Sequence, residues 1–73
     1  MPKLRRLSGR QVCAILRNGF VKVRQRGSHV VMQRRIGEDD SMSVVVPNHK
    51  ELDRGTLSAI IRQSGLDRAL FSS

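Results

Sequence analysis

Apolar residues fall along this chain in five short groups, and their spacing predicts the elements that carry them. Val12, Ile15 and Leu16 recur at i, i+3 and i+4, which puts them on one face of a helix. Ser8 reads as the N-cap, and Gln11 three residues on completes a capping box. Asn18-Gly19 reads as the end, with Gly19 in the left-handed conformation that glycine tolerates after a helix. The first helix is predicted over residues 8–18, after a basic lead-in at residues 1–7. Residues 20–25 alternate and read as a half-buried strand. Its phase puts Val21 and Val23 toward the helices, and Lys22 and Arg24 the other way. Phe20, at the strand edge, is expected to fold back on the helix.

Gly27, within Arg26-Gly27-Ser28, lets the chain reverse into a second strand over residues 29–35. With Val30 and Met32 in the core, His29, Val31, Gln33 and Arg35 share the outer face with Lys22 and Arg24. A slip of one residue would invert that arrangement. Residues 36–41 are a polar turn. Residues 42–46 form a third strand with Val44 and Val46 inward, and Pro47 stops it. After the Pro47-Asn48-His49 loop, a second helix opens near Arg54-Gly55-Thr56. Leu57, Ile60 and Ile61 repeat the helical spacing, Gly65 closes the helix, and residues 66–71 add a short final turn. The order α-β-β-β-α is an α+β class. It predicts a three-stranded antiparallel meander with both helices on one face and the other face open.

At 73 residues the chain is expected to be one domain. It buries only roughly 60% of the surface its unfolded form exposes, which argues for chemistry on a shallow surface and against a deep cofactor pocket. No cofactor is expected. No apolar run approaches the ~18 residues of a membrane span. The basic start lacks the apolar run of a secretory signal, so a cytoplasmic location is expected and no membrane partner. The single cysteine, Cys13, cannot form an internal disulfide and reads as a small apolar residue on the helical stripe.

Charge changes the picture more than composition does. Lys and Arg number 14 against 6 Asp and Glu, a formal net charge of +8. Residues 1–37 carry Lys3, Arg5, Arg6, Arg10, Arg17, Lys22, Arg24, Arg26, Arg34 and Arg35 and no acid; all the acids lie from Glu38 onward. So one-sided a basic half predicts a polyanionic partner, most simply nucleic acid. Within it, His29 is held at the start of a strand beside Lys22, Arg24 and Arg26. That combination suits phosphate binding with proton transfer nearby. The adjacent acids Glu38-Asp39-Asp40 read as a solvated hairpin tip, because consecutive turn residues diverge and no other acid or histidine converges on them. Two histidines in separate segments, with no cysteine partner, do not make a zinc site, so no metal is expected.

Several blocks carry a family likeness. Gly19-Phe20, then Arg26-Gly27-Ser28-His29, then Val46-Pro47-Asn48-His49, then Gly55-Thr56-Leu57 with Ile60-Ile61-Arg62-Gln63 and Gly65-Leu66, together resemble the HicA toxins of bacterial toxin–antitoxin pairs. The similarity runs from about Ser8 to Leu66. It implies a double-stranded-RNA-binding-like fold and a messenger-RNA endoribonuclease that halts translation, neutralised by a cognate HicB-type antitoxin. The family's active histidine is that of the Gly-Ser-His block, which here is His29. The chain departs from many members in following His29 with Val30-Val31-Met32, where they carry another histidine or an aromatic residue. Its acidic turn is also longer.

The chemistry this implies needs no metal, because the RNA 2′-hydroxyl can attack the adjacent phosphorus. His29 is the expected general base or acid, since an imidazole ordinarily titrates near neutral pH. Lys22, Arg24 and Arg26 are expected to contact phosphate and stabilise charge, with Gly27 and Ser28 offering backbone N–H groups or a hydroxyl. The antitoxin is expected to cover the His29 surface. His49 reads as a local residue that caps the approach to the second helix or bonds loop backbone; a role as second proton-transfer partner is the alternative. Two rival functions remain open. One is a non-catalytic RNA-binding module using the same face. The other is a DNA-binding factor using residues 56–65 as a recognition helix. The Gly65-Leu66 break argues against the latter, and no sequence-specific DNA binding is expected without the antitoxin.

Overall fold

The computed structural model describes residues 6–72. Their order is α1 (Gly9–Leu16), β1 (Val21–Arg26), β2 (His29–Arg35), β3 (Ser41–Pro47), α2 (Arg54–Ser64) and a short 3-10 helix (Arg68–Phe71). The α+β class and the antiparallel meander, in order β1-β2-β3, are as the sequence predicts. Among the described residues no helix is long and apolar enough to cross a membrane. Most of the basic lead-in, residues 1–5, lies outside the described residues.

Local chemistry explains most of the boundaries. Ser8 accepts from the Gln11 backbone N–H at 3.1 Å, and its own N–H donates to the Gln11 side chain at 2.9 Å, a complete capping box. The end of α1 differs from expectation. Gly19 is not among the glycines with positive φ; those are Gly27, Gly37 and Gly65. The helix closes instead by tightened turns, with the Gly19 N–H donating to the Leu16 carbonyl at 3.1 Å. The Asn18 side chain supplies a further cap, donating to the Ile15 carbonyl at 2.8 Å. At α2 both ends follow the sequence. Asp53 caps the start by accepting from the Thr56 N–H; hydrogen bonding by Thr56, its side chain first and its backbone N–H after it, holds the Asp53 carboxyl below the ordinary range, and Gly65 ends the helix left-handed at φ 70°.

One apolar cluster joins the layers. Val12 and Leu16 from α1, Val30, Met32, Val44 and Val46 from the sheet, and Leu57, Ile60 and Ile61 from α2 are all buried, as their spacing predicts. Phe20 is buried with them. Three further members carry no periodic signal: Leu7, Leu52 and Phe71. Leu7, assigned to the lead-in, is fully buried, and its carbonyl accepts from the Leu52 N–H at 2.8 Å.

The first strand departs most from its predicted phase. Val21 and Val23 are not in the core; they are 64% and 46% exposed. Val21 pairs with Gln33 and Lys22 with Met32, but Arg24 pairs with Val31 and Gln25 with Val30, so a bulge falls at Val23. Directly paired residues share a face. Lys22 and Gln25 therefore stand on the helix side with Met32 and Val30, whereas Val21, Arg24 and Arg26 stand on the open side.

Candidate functional site

The turn between β1 and β2 fixes the position of His29. Gly27, at φ 55°, occupies the first central position of a two-residue turn, where a positive φ suits glycine and matches the twist of the strands. Arg26 and His29 then pair directly as the last and first residues of their strands. Directly opposed side chains stand about 4.5–5.5 Å apart at Cβ. On its other side His29 pairs with Pro47. The imidazole is exposed, on a central strand, with a guanidinium opposite. Arg24, one residue further along the same face of β1, is exposed as well. This face continues through Val31, Gln33 and Arg35 of β2 and Ser43 and Val45 of β3.

Of three backbone ties, one holds the turn to the loop after β3 and two hold that loop to the start of α1. The Asn48 N–H donates to the Ser28 carbonyl, and the Gly9 N–H donates to the His49 carbonyl at 2.8 Å. The third is the Leu52–Leu7 bond already described. The first turn of α1, the loop after β3 and the β1–β2 turn thus meet at one corner. His49 is exposed there, and its carbonyl serves α1 rather than the approach to α2. Gly9 makes this meeting possible. A Cβ built on it would stand 2.1 Å from the Pro47 carbonyl oxygen and 2.8 Å from the Asn48 Cα.

Of the residues singled out in the sequence, Arg24, Arg26 and His29 share the open face at this corner, beside Gly27 and Ser28. Lys22 does not join them, because the Val23 bulge turns it to the helix side. It lines a groove of about 470 Å³ between α1 and the first two strands. Arg10, Cys13, Ala14 and Arg17 form one wall; Lys22 and Gln25 form the other, Asn48 closes one end, and Val30 and Met32 lie beneath. Sequence reasoning left Arg10 and Arg17 out of the site. Their signal was present as the i, i+7 spacing that keeps both on one helical face. The cationic surroundings act on Cys13: burial raises its thiol pKa, while Lys22 and Arg17 pull it down.

The acidic tip is a separate exposed feature. Gly37 turns it at φ 88°, and the Ser41 N–H donates to Asp40 Oδ1 at 2.9 Å. Among the described residues no group of three or more His, Cys, Asp and Glu side chains converges there or elsewhere.

A family model described as the HicA toxin of bacterial toxin–antitoxin matches residues 9–66. The chain belongs to the HicA toxin family. The matched span runs from the first residue of α1 to just beyond α2, so it contains the His29 corner and the groove. As a HicA toxin, the chain is the toxin of a toxin–antitoxin system and has a cognate antitoxin as partner. No match is found among curated proteins.

Proposed function

We propose that this HicA toxin is a metal-independent endoribonuclease that cleaves messenger RNA in the cytoplasm and so stops translation, and that a HicB-type antitoxin restrains it. The observation that carries the reading is the direct pairing of Arg26 with His29 on an exposed sheet face, within the span that matches the family.

In the proposed reaction a base takes the 2′-hydroxyl proton as the 2′-oxygen attacks phosphorus. The bond from phosphorus to the 5′-oxygen breaks, and that oxygen receives a proton. The products are a 2′,3′-cyclic phosphate and a 5′-hydroxyl. His29 performs one of the two proton transfers, a contribution typically worth about 10²–10⁴-fold in rate. Arg24 and Arg26 bind the non-bridging oxygens and offset the charge that builds on the phosphorane; a guanidinium suits this because it donates two parallel hydrogen bonds. The Gly27-Ser28 turn offers exposed backbone and a hydroxyl at the same phosphate. DNA, which lacks the 2′-hydroxyl, is not a substrate. An antitoxin that laid carboxylates on Arg24 and Arg26 would cover His29 in the same contact.

The test is cleavage of a single-stranded RNA oligonucleotide in EDTA by wild type and His29→Ala, with product ends typed. Cyclic-phosphate ends from the wild type alone are expected. Cleavage that requires Mg²⁺, or that proceeds equally in His29→Ala, refutes the mechanism. Tight RNA binding without cleavage by either protein moves the function to a binding module.

A further inference from the structure

The groove on the opposite side of the sheet from His29 is lined by three cations and no carboxylate. Its shape follows from the fold. Arg10, Ala14 and Arg17 sit at i, i+4 and i+7, so they line one face of α1 and its last turn. The rise from Arg10 to Arg17 is about 10 Å. Lys22 and Gln25 run along the facing strand, and Lys22 Nζ donates to Gln25 Oε1 at 3.0 Å. That bond leaves the ammonium other donors, because it carries three. The Gln25 amide is in turn anchored on the Gly27 carbonyl at 3.0 Å, so the wall is tied to the turn that carries His29.

The groove also has a direction. α1 starts against Asn48, and Asn48 bonds Ser28. Gln25 and Asn48 therefore lie at the end next to the Gly27-Ser28 turn, and Arg17 and Lys22 at the far end. Val30 and Met32 beneath are buried, so the groove presents its polar and cationic walls, which suit a chain with a charged backbone.

We propose that this groove holds the single-stranded RNA flanking the cleavage point, with Arg10, Arg17 and Lys22 on its phosphates, and delivers it around the Gly27-Ser28 turn to His29. The inference builds on the ribonuclease reading and adds a second contact region to it. The scissile phosphate lies on the open face, and the strand beside it lies between α1 and β1. Lys22 thereby keeps the contact with RNA that its sequence suggests, from the other face of the sheet. The Val23 bulge lets one short strand serve both faces with cations, since it sends Arg24 outward two residues after Lys22 points in.

The probe is a 2′-O-methyl RNA oligonucleotide, which binds as RNA but lacks the attacking hydroxyl. Its affinity is measured by fluorescence anisotropy across a salt series. Arg10→Gln, Arg17→Gln and Lys22→Gln are each expected to lower the slope of log K against log salt by about 0.7, and to weaken binding about fivefold at 0.1 M salt. Arg62→Gln, an exposed change on α2 outside the groove, is the charge control and is expected to leave the slope unchanged. Cys13 supplies a second readout, because alkylation of a thiol inside the groove is expected to slow as the oligonucleotide saturates.

Three outcomes overturn the proposal. Groove variants with wild-type slopes, while Arg24→Gln and Arg26→Gln bind weakly, confine RNA to the open face and leave the ribonuclease reading intact. Groove variants that keep RNA affinity but lose the antitoxin make the groove a protein interface. No binding of the oligonucleotide by wild type removes the groove proposal, and the cleavage assay on unmodified RNA decides the ribonuclease reading by itself. Groove-dependent binding together with full cleavage by His29→Ala keeps the groove and removes the histidine.

Discussion

Gly9→Ala inverts an ordinary expectation. Replacing glycine by alanine in a helix normally stabilises it, by roughly 0.5–1 kcal/mol, because glycine loses more backbone freedom on folding. At Gly9 the added Cβ would stand 2.1 Å from the Pro47 carbonyl oxygen, 2.8 Å from the Asn48 Cα and 2.9 Å from the Pro47 carbonyl carbon. All three are backbone atoms, so no side chain can rotate out of the way. Forcing an extra methyl into a packed contact typically costs about 1–3 kcal/mol. Moving α1 away also breaks the Gly9–His49 hydrogen bond, worth about 0.5–1.5 kcal/mol. The net is a destabilisation of about 2 kcal/mol. For a domain of this size that lowers the melting temperature by about 8–16 °C. Gly55→Ala is the matched control. It lies in the first turn of α2, and its Cβ would meet only Asp53 Oδ2, at 3.4 Å. It is expected to hold or raise the melting temperature. The assay is thermal unfolding of both variants beside wild type, followed by circular dichroism. A Gly9→Ala protein that melts at or above the wild-type temperature refutes the close-approach argument.

Two more outcomes follow from the packing and the charges. Met32→Ala empties a fully buried position in the central strand and is expected to cost about 2–5 kcal/mol, read as a lower urea midpoint; a loss below 1 kcal/mol would mean that the site collapses around the gap. Cys13 is expected to alkylate with a midpoint above the ordinary thiol range, because burial raises its pKa. The Lys22→Gln change is expected to move that midpoint higher still, since the Lys22 charge favours the thiolate. By linkage the neutral thiol is favoured in the fold, so stability is complete below the unfolded thiol's pKa and declines as pH rises through the folded one. A midpoint left unchanged in Lys22→Gln would place the ammonium away from the sulfur.

The sequence by itself determined which elements form and in what order, because the signals for them are local. Capping boxes, helical spacing and turn glycines act within a few residues, so Ser8, Leu57 and Gly65 could be read directly. His29 and its outward direction were legible for the same reason, since the Gly27 turn and the buried Val30 and Met32 fix the phase of β2. Tertiary structure alone decided how β1 faces. An alternating strand gives opposite faces to residues an odd number apart, yet Val21 and Arg24 share one, because the bulge at Val23 absorbs a residue where β1 pairs with β2. Lys22 changed sides with that bulge. The groove was hidden as well, for its walls come from residues 10–17 and 22–25 and its end from Asn48, which no local pattern connects. Gly9 looked like an ordinary first helical residue; its requirement for glycine comes from the backbone of a loop nearly forty positions away. Contacts between elements depend on where packing brings them, and a pattern confined to one element carries no record of its neighbours.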